Sequence, residues 1–313
     1  MSVKVFIDGS SGTTGLRIAD RLAQRPEIEL LSISAEGRKD VNERARVINS
    51  ADLAFLCLPD AASKEVMPLL RSDVKVLDTS TAFRTDAAWD YGFPELAGQK
   101  EKIQKSYRVA VPGCYASGFI SIARPLVELG LAPADYPFSC TGISGYSGGG
   151  KKMIAEYESP NRPAHSKLDA PKSYGLGLAH KHLPEMQKIS GLAHTPMFVP
   201  VVCDYYCGMQ VLVPLDLTLA GSTAEQVAEV IAAYYKDAAT VKVHALNEAL
   251  PENGLYSNAM AGTDRMELYM TVNAAGDQMM LVSVFDNLGK GSSGAAVQCM
   301  NLMLGLEETE GLE

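Results

Sequence analysis

The stretch VKVFIDGSSGTTG, residues 3–15, places an apolar run directly before three glycines that stand three residues apart. The apolar run is typical of a buried strand, and the residues after Gly15 repeat apolar side chains at helical spacing. A strand, a glycine turn and a helix in this order can bind a pyrophosphate, because glycines let the backbone approach the ligand and the helix N-terminus supplies N–H groups. The first gap is one residue longer than in the dinucleotide fingerprint, and similar turns occur without a ligand.

Candidate cofactor ligands lie in this turn and after the second predicted strand. The turn residues expected to hold the pyrophosphate are Gly9, Ser10, Ser11, Gly12, Thr13, Thr14 and Gly15. After the second strand, residues 28–34, an acid would bind the 2′-hydroxyl of NAD, whereas cations would neutralise the 2′-phosphate of NADP. Arg38 and Lys39 outnumber Glu36 there, and Ser34 adds a donor. The sequence therefore favours NADP. The alternatives are that Arg38 and Lys39 form a solvated loop without a ligand, or that Glu36 selects NAD.

Strands and helices continue to alternate through the first third of the chain. The predicted elements are strands at 52–58, 74–77 and 107–111 and a helix at 61–70. This alternation predicts an α/β fold, a Rossmann-type doubly wound parallel sheet whose strand ends face one crevice. Arg84 follows one of these strand ends, so it is placed to bind a substrate carboxylate or phosphate, or else to serve a structural role.

The pattern after residue 114 is different. Its predicted elements are an alternating run from Met209 to Leu219, a helix from a capping box at 222–225 to about Tyr235, and strands at 241–244, 265–271 and 279–285. The last two strands face each other across residues 274–277, which predicts a hairpin. Strands joined by hairpins indicate a second, α+β domain with a mixed or antiparallel sheet.

We therefore expect two domains, in agreement with a length of 313 residues. The first covers residues 1–113 and is completed by a C-terminal helix in the segment 291–313. The second covers residues 114–290 and contains the catalytic residues.

Cys114 is the candidate nucleophile. It stands in VPGCYASG, residues 111–118, on a tight turn directly ahead of a helix-like run at 119–129. A thiol at a helix N-terminus feels the positive end of the macrodipole, which lowers its pKa from about 8.5 and favours the thiolate. Pro112 and Gly113 shape a turn that exposes a side chain, which an ordinary buried cysteine, the alternative interpretation, does not need.

The thiol needs a group that transfers protons, and the chain has five histidines. Two of them, His180 and His182, stand in HKHLPEM, residues 180–186. Pro184 in the first turn of a helix would fix the approach of one imidazole, and Glu185 would bind its far nitrogen. We expect one imidazole of this pair to serve the thiol, with ordinary surface or core histidines as the alternative interpretation.

A glycine-rich loop, residues 144–152, ends in Lys151 and Lys152. Backbone N–H groups and lysines together suit a phosphate leaving group or an acidic substrate. A surface hairpin without a ligand is the alternative.

Composition limits the function classes. The chain carries 28 Lys and Arg against 37 Asp and Glu, a net charge of −9, which argues against a nucleic-acid partner. No apolar run is long enough to span a bilayer and no signal peptide is recognisable, so we expect a soluble protein without a membrane partner. Six scattered cysteines indicate the reduced cytoplasm. Cys203 and Cys207 lack the second pair of a zinc site, so no metal is expected.

Four motifs in this order are shared with one known family. They are G-x-x-G-x-x-G at the start, Pro-Gly-Cys-Tyr-Ala, His-Lys-His-x-Pro-Glu-Met and, near the end, Asp-Asn-Leu-x-Lys-Gly-x-x-Gly. With them the chain resembles the N-acetyl-γ-glutamyl-phosphate reductases, NADPH-dependent enzymes of arginine biosynthesis, over nearly its whole length, and it looks like the shorter form. The cysteine motif alone is shared in outline with aspartate-semialdehyde dehydrogenases, whereas the histidine motif is more specific to the reductases.

The resemblance implies a Rossmann domain and a catalytic domain that also carries the subunit contact, hence a homo-oligomer, a dimer or a tetramer, that acts on a small-molecule acyl phosphate. It implies Cys114 as nucleophile and, as acid or base, His180, which stands six residues after Tyr174, or His182. Asn287 and Gly289 would face the nicotinamide. In the implied reaction the thiolate displaces phosphate, and hydride from NADPH reduces the resulting thioester to an aldehyde.

Three positions depart from the family pattern. Ser117 stands where the family often has threonine, Lys181 where it often has arginine, and Cys207 where longer members carry an arginine. The last departure puts the contact to the substrate carboxylate in question. The remaining candidates for that contact are Arg84, Lys151 and Lys152.

Other functions remain compatible with parts of the sequence. Reduction of β-aspartyl phosphate is the nearest alternative reaction. A non-catalytic NADP-binding sensor would keep the glycine turn but would not need Cys114 or His180. A thiol hydrolase would use the cysteine, but the dinucleotide turn argues against it.

Overall fold

The computed structural model describes residues 2–313, apart from the side chain of Glu252. Its strands are β1 (Val3–Asp8), β2 (Ile28–Leu31), β3 (Leu53–Leu56), β4 (Lys75–Asp78), β5 (Asp90–Tyr91), β6 (Arg108–Ala110), β7 (Ser139–Gly145), β8 (Lys172–Ser173), β9 (Met197–Cys203), β10 (Met209–Asp216), β11 (Val241–Val243), β12 (Met266–Val272) and β13 (Gln278–Phe285). Its α-helices are α1 (Thr13–Leu22), α2 (Val41–Ile48), α3 (Asp60–Val66), α4 (Gln99–Lys105), α5 (Cys114–Glu128), α6 (Gly150–Tyr157), α7 (Leu183–Ser190), α8 (Leu217–Ala220), α9 (Ala224–Tyr234) and α10 (Gly294–Leu304).

The chain forms two compact units. The first contains the residues up to Gly113 together with Ser292–Leu312, and the second contains Cys114–Gly291 together with Glu313. Each unit is built around its own sheet.

The sheet of the first unit has six strands in the order β2-β1-β3-β4-β6-β5, and all neighbours are parallel. Parallel strands are covered on both faces, and β3 is accordingly apolar and buried along its whole length. Successive side chains of β1 point to opposite faces, so Val5 and Ile7 pack with α1 and α10 whereas Phe6 packs with α2. The predicted doubly wound parallel sheet is confirmed.

The sheet of the second unit has seven strands in the order β11-β12-β13-β10-β7-β9-β8. It is mixed: β11 and β12 are parallel, as are β7 and β9, and the other neighbours are antiparallel. The predicted β12–β13 hairpin is present. Helix α5 lies flush against one face, because a Cβ on Gly118 would come within 2.6 Å of the Val211 side chain. The second domain is α+β with a mixed sheet, as the sequence predicts.

Helix α5 begins earlier than its sequence pattern indicates, at Cys114 instead of residue 119. Ser117 and Gly118 are weak helix formers, and together they resemble a helix boundary. The close approach of α5 to the sheet requires a glycine at 118, so tertiary packing outweighs the local preference. Cys114 is therefore the first residue of the helix itself.

Three other boundaries also differ from the predictions. Helix α3 stops at Val66, because Pro68 has no N–H with which to continue the helix. The alternating run from Met209 ends at Asp216, whose side chain accepts a hydrogen bond from the Leu219 N–H and starts the short helix α8. The capping box of α9 is formed by Thr223 and Gln226, one residue later than predicted.

Candidate active site

The glycine turn after β1 is closed so tightly that side chains do not fit at two of its positions. Gly9 has φ +95°, and a Cβ there would lie 2.7 Å from the Cys57 carbonyl oxygen. A Cβ on Gly15 would lie 2.4 Å from the Gly9 carbonyl oxygen, which already accepts a 2.9 Å hydrogen bond from the Gly12 N–H. Glycines here permit the backbone conformation and the close packing that bring the start of α1 to the strand end.

The start of α1 is suited to an anion. Gly12 is its N-cap and offers no side-chain acceptor to the first N–H groups, and the first turn contains no acidic residue. Helix N-termini of this kind bind phosphate oxygens through their amides and dipole. Thr14 already shares a 3.1 Å hydrogen bond with Ser292, both in the first unit. The turn thus fits the pyrophosphate of a dinucleotide.

The residues expected at the adenosine ribose lie in one turn after β2. Strand β2 ends at Leu31, and the Ser34 hydroxyl then accepts a 3.0 Å hydrogen bond from the Gly37 N–H. Arg38 and Lys39 follow in a short 3₁₀ turn, and both are exposed, as is Glu36. The two cations are therefore accessible to a phosphate.

Arg84 is buried in the first unit. Its Nε donates to the Val111 carbonyl oxygen at 2.9 Å, and its Nη2 donates to that of Thr79 at 3.0 Å. These bonds tie together the segments that follow β4 and β6. They support the structural alternative, and a contact with substrate stays a prediction.

Cys114 is half-buried and packs against Gly291, a glycine that is far from it in the sequence but belongs to the same unit. A Cβ on Gly291 would lie 3.0 Å from the Cys114 Cβ and 3.1 Å from the Asp286 carbonyl oxygen. Gly291 belongs to a π-helical turn, Gly289–Ser293, a type of distortion that occurs frequently at functional sites. A side chain at position 291 would therefore crowd Cys114.

The two predicted histidines precede α7. His182 is its buried N-cap residue, with Pro184 and the buried Glu185 in the first turn, and His180 is half-buried. The peptide N–H of His182 donates to Nδ1 of His180 at 3.2 Å, and the two rings lie 4.7 Å apart at 83°. Desolvation by burial and, secondarily, the Lys181 charge lower the pKa of His180 to about 4. His180 is therefore neutral at pH 7.

Tyr115 connects the thiol to the histidines. It follows Cys114 in α5, and its ring centroid lies 5.8 Å from that of His180 and 5.1 Å from that of Phe198. Its hydroxyl donates to the Val201 carbonyl oxygen at 3.2 Å. The ring crosses β7 at Gly142, where a Cβ would come within 2.3 Å of it.

Tyr174 completes this aromatic cluster, and its ring lies 5.9 Å from that of His180. Burial raises the pKa of Tyr174 to about 12, and the negative charge of an ionised Cys114 adds to the effect. The structure therefore brings Cys114, Tyr115, Tyr174 and His180 together.

Asn287 and Gly289 have structural partners within the second unit. The Asn287 side chain accepts a hydrogen bond from the Gly208 N–H at 2.8 Å and donates to the Ser147 hydroxyl at 3.0 Å. A Cβ on Gly289 would lie 2.0 Å from the Thr263 carbonyl oxygen. Their expected place beside a nicotinamide stays a prediction.

The prediction that residues 144–152 form a loop is wrong. They consist of the end of β7, a 3₁₀ turn over Tyr146–Gly149 and the first turn of α6. Lys151 and Lys152 are exposed in that first turn, where the helix dipole disfavours cations. An anion bound beside them would offset this unfavourable arrangement.

The sequence assigns no function to four of these site residues: Tyr115, Tyr174, Gly142 and Gly291. Tyr115 adjoins the cysteine and belongs to the shared motif Pro-Gly-Cys-Tyr-Ala, but the sequence gives it no role of its own. Gly291 stands in the shared motif near the end of the chain, where the sequence assigns it no role of its own. Gly142 looks like an ordinary strand glycine, because what it contacts is distant along the chain.

No three His, Cys, Asp or Glu side chains of the described part form a group suited to a metal ion. No helix there has the length and apolar character needed to cross a membrane.

Sequence comparison shows which family the chain represents. Residues 4–106 match the semialdehyde dehydrogenase NAD binding domain, and residues 114–287 match the semialdehyde dehydrogenase dimerisation domain. The chain is 46% identical to the N-acetyl-gamma-glutamyl-phosphate reductase of Trichormus variabilis, over 99% of both chains. The chain belongs to the N-acetyl-γ-glutamyl-phosphate reductase family. The reductase of Burkholderia cenocepacia is also 46% identical, over 96% of this chain and 97% of its own.

Solved structures show that the reductase family shares its fold with a neighbouring one. Aspartate semialdehyde dehydrogenase II of Vibrio cholerae, crystallised with ASA, covers 97% of this chain and 99% of its own with a TM-score of 0.69 and 18% identity. The family assignment and the fold predicted from the sequence are both confirmed. As a member of the N-acetyl-γ-glutamyl-phosphate reductase family the chain is an oxidoreductase that uses a nicotinamide cofactor.

Proposed function

We propose that the protein reduces N-acetyl-γ-glutamyl phosphate to N-acetylglutamate semialdehyde and phosphate with NADPH, in arginine biosynthesis. The observation that carries this proposal is the cluster at the start of α5, where Cys114 and Tyr115 meet His180 and Tyr174. A non-catalytic sensor would have no use for such a cluster. The choice of the N-acetyl-γ-glutamyl group in this proposal is supported by the names of two relatives, each 46% identical to the chain.

In this reaction the Cys114 thiolate attacks the acyl carbon, the bond to the phosphate oxygen breaks, and a thioester forms on Cys114. The position at the first residue of α5 favours the thiolate, and the thiolate is a strong nucleophile. Lys151 and Lys152 neutralise the departing phosphate. The bound cofactor supplies the hydride that reduces the thioester to the aldehyde. His180, with His182 as the alternative, is the imidazole that acts at the reacting groups.

NADP is the proposed form of the cofactor. Gly9, Gly12 and Gly15 bring the backbone of the turn to the pyrophosphate. The exposed Arg38 and Lys39 bind the 2′-phosphate, since two cations against Glu36 favour an additional phosphate over a bare hydroxyl.

The domain roles follow from these sites. We assign cofactor binding to residues 1–113 with the C-terminal segment 291–313, and catalysis and the subunit contact to residues 114–290. Free thiols at Cys57, Cys140 and Cys203 support a reduced, cytoplasmic location.

The proposed subunit contact is the face of the second sheet opposite α5. Residues that pair with each other across neighbouring strands have their side chains on the same face. On this face they include Val199, Thr141, Leu212 and Val282. Val199 is 37% exposed, and Met197 on the same strand is 56% exposed. Partly exposed apolar side chains on an open sheet face are typical of a homodimer interface, and the matched domain is a dimerisation domain.

The test is the reverse reaction, oxidation of a semialdehyde with phosphate and NADP. We expect N-acetylglutamate semialdehyde to react far faster than aspartate semialdehyde. The two differ by one methylene and an acetyl cap; a methylene discriminates by only about 1–3 kcal/mol, but the free ammonium of aspartate semialdehyde needs a counter-charge. Near the site the only acid of segments 144–152 and 174–185 is Glu185, which is buried in the first turn of α7.

Each outcome of this assay selects a function. A higher kcat/KM for aspartate semialdehyde would assign the protein to β-aspartyl-phosphate reduction. Binding of NADPH without oxidation of either substrate would support the sensor.

A further inference from the structure

We propose that Arg44 is a positioning residue of the cofactor site, which acts through its buried ion pair with Asp8 and does not itself contact the dinucleotide. Asp8 is the last residue of β1 and directly precedes the first glycine of the turn. The inference rests on the proposed cofactor site, because it assigns the pair a role in shaping that site. It involves no reacting group, so it does not depend on which acyl phosphate the enzyme reduces.

Arg44 and Asp8 form a buried ion pair with several bonds. The Nε of Arg44 lies 3.0 Å and its Nη2 lies 2.7 Å from Oδ2 of Asp8, and Nε also lies 3.2 Å from Oδ1. Both side chains are only 5% exposed. Charged side chains are almost never buried to this extent unless they are paired. The planar guanidinium binds a carboxylate in a defined orientation, so the pair fixes the direction of the Asp8 side chain.

The other contacts of Arg44 keep its guanidinium away from a ligand. Its Nη2 also donates to the Ala62 carbonyl oxygen at 3.1 Å, in the first turn of α3. Its Nη1 faces the Glu65 carboxylate at 3.7 Å. A buried guanidinium with these partners acts through them, and this distinguishes Arg44 from the exposed Arg38 and Lys39.

The bonds of Arg44 join three segments that border the glycine turn. Arg44 belongs to α2, Asp8 ends β1, and Ala62 belongs to α3, which follows β3. The Asp8 carbonyl oxygen accepts a 2.8 Å hydrogen bond from the Cys57 N–H, and a Cβ on Gly9 would lie 2.7 Å from the Cys57 carbonyl oxygen. Gly9 therefore keeps its position only while Asp8 and the segment after β3 keep theirs.

Helix α2 also supports the turn that is proposed to bind the ribose, residues 34–39. A Cβ on Gly37 in this turn would lie 2.8 Å from the Cγ of Glu43, the neighbour of Arg44 in α2. The same helix therefore contacts the ribose turn through Glu43 and the end of β1 through Arg44. Arg44 thus holds the two proposed subsites at a constant spacing, as a preorganised dinucleotide site requires.

Arg44 also neutralises a negative charge beside the proposed anion site. Without Arg44, the Asp8 carboxylate would stand unpaired directly before the glycine turn and would repel a pyrophosphate. The low dielectric of the protein interior makes such repulsion stronger than it is in water. NADPH and NADH contain the same pyrophosphate, so loss of Arg44 should weaken the binding of both by the same factor.

The first test is fluorescence titration of Arg44→Met and Arg44→Lys with NADPH and with NADH. We expect Arg44→Met to raise both Kd values equally, at least about tenfold, because the site loses its preorganisation and gains an unpaired charge. Arg44→Lys keeps the charge but loses the planar fork, so its Kd values should lie between those of Arg44→Met and the wild type.

Each other outcome of this titration contradicts a stated claim. Wild-type Kd values for Arg44→Met, or a loss confined to NADPH, would overturn the inference and leave the proposed function intact. A wild type that binds neither cofactor would refute the proposed cofactor site and, with it, the inference.

Arg25→Met is the matched control. Arg25 is also buried in the first unit, pairs with Glu27 at 2.6 Å and donates to the Asn301 side chain at 2.7 Å. It lies at the other end of β1, where the Val3 N–H donates to the Glu27 carbonyl oxygen at 2.8 Å. Its loss should lower the free energy of unfolding in urea but leave both Kd values unchanged. Equal increases of Kd in the Arg25 and Arg44 variants would show that general destabilisation weakens binding, and would overturn the inference.

A double variant keeps the titration decisive if Arg44→Met does not fold. Removal of one partner from a buried ion pair is strongly destabilising, whereas an apolar pair of similar size is often tolerated. Asp8→Leu with Arg44→Met should therefore unfold in urea close to the wild type. It lacks the oriented bonds of Arg44, so both Kd values should still rise together, by at least about threefold. Wild-type Kd values in the folded double variant would overturn the inference.

Hydrogen exchange measures the two turns without any cofactor, so its result is separate from that of the proposed function. In Arg44→Met the amides of residues 9–15 and 34–39 should exchange faster than in the wild type, relative to those of β12 and β13 in the other unit. Arg25→Met should leave this ratio unchanged. Unaltered exchange of both turns in Arg44→Met would overturn the inference.

Discussion

Cys114 is the residue whose replacement separates chemistry from cofactor binding. In the proposed reaction its thiolate forms the thioester, whereas the proposed dinucleotide site is the glycine turn of the other unit. We expect Cys114→Ser to abolish turnover while the Kd for NADPH stays nearly unchanged, as measured by fluorescence titration. Cys203→Ser, at a free thiol at the end of β9, should keep full activity. Substantial reductase activity of Cys114→Ser would rule out this nucleophile.

Arg38 and Lys39 are the residues that we propose decide between the two nicotinamide cofactors. Replacing both by alanine removes charge-assisted bonds that contribute roughly 1.5–3 kcal/mol each, so NADPH should bind far more weakly while NADH binding changes little. Titration of both cofactors measures the difference. Lys102→Ala with Lys105→Ala, two exposed cations on α4, is the matched control. Equal losses for NADH and NADPH would show that the pair is structural, and Glu36 would then favour NAD.

The candidate site residues that the sequence identifies are those whose roles are indicated by the residues next to them in the chain. Cys114 follows Pro112 and Gly113, and His180 and His182 stand before a proline turn, so local order is enough. Tyr115 and Gly142 are different, because their contact joins α5 to β7 across 27 positions of the chain. Arg84 is ambiguous in the sequence, since a guanidinium binds backbone carbonyls as readily as a substrate anion.

At the scale of elements, strand β7 determines where α5 places its aromatic side chain. Gly142→Ala puts a Cβ within 2.3 Å of the Tyr115 ring and 3.1 Å of Phe198, the two rings beside His180. We expect kcat to fall at least about tenfold, as displacement of a positioned group by about 1 Å does, with NADPH binding retained. Gly177→Ala is the matched control, because nothing lies within 4 Å of its added Cβ. Full activity of Gly142→Ala would show that the ring position is unimportant.

Element types were more predictable than element ends. The strands and helices of the first unit follow from apolar runs and glycine punctuation, and the β12–β13 hairpin follows from two alternating runs. The start of α5 was missed because Gly118 serves packing against Val211, which no local pattern records. The short helix α8 was missed because Leu217 and Leu219 continue the alternation of β10, while the Asp216 cap ends it.

At the scale of the whole molecule, the open face of the second sheet predicts an assembly. Val199→Asp places a charge on this face, and the cost of burying it against a partner should convert the oligomer to smaller species in sedimentation velocity. Leu219→Asp is the matched control, since Leu219 is 56% exposed and belongs to α8 instead of to a strand of this face. An unchanged sedimentation coefficient for Val199→Asp would place the subunit contact elsewhere.

Acid should destabilise the second unit through the pair of carboxylates around His244. The ring nitrogens of His244 lie 2.8 Å from Glu248 and 2.9 Å from Glu267. The hydrogen bond with His244 lowers the pKa of Glu248; burial raises that of Glu267, but hydrogen bonds from Tyr269 and His244 outweigh this and leave it below its ordinary value of 4.5. A depressed pKa stabilises the fold above the unfolded value, and this stability is lost as the pH falls through the folded value.

Urea unfolding at pH 7 and at pH 3.5 measures this contribution. The wild type should lose more unfolding free energy between these pH values than Glu267→Gln, which has no carboxylate to protonate there. Glu225→Gln, at an exposed position in α9, should lose as much as the wild type. If Glu267→Gln and the wild type lose the same amount, the cluster does not contribute to the acid response.

Helix α10 belongs to the core of the first unit, where Val297 and Met300 pack with Val5 and Leu53. In the sequence the second unit lies between the strands of this core and α10. The ribosome therefore synthesises the whole second unit before it reaches α10. The nascent first unit therefore waits, with an uncovered apolar sheet face, while the inserted unit is made and is able to fold as a whole. Chaperones that hold unfinished chains should accordingly act on the segments of the first unit that precede Cys114 until α10 has left the exit tunnel.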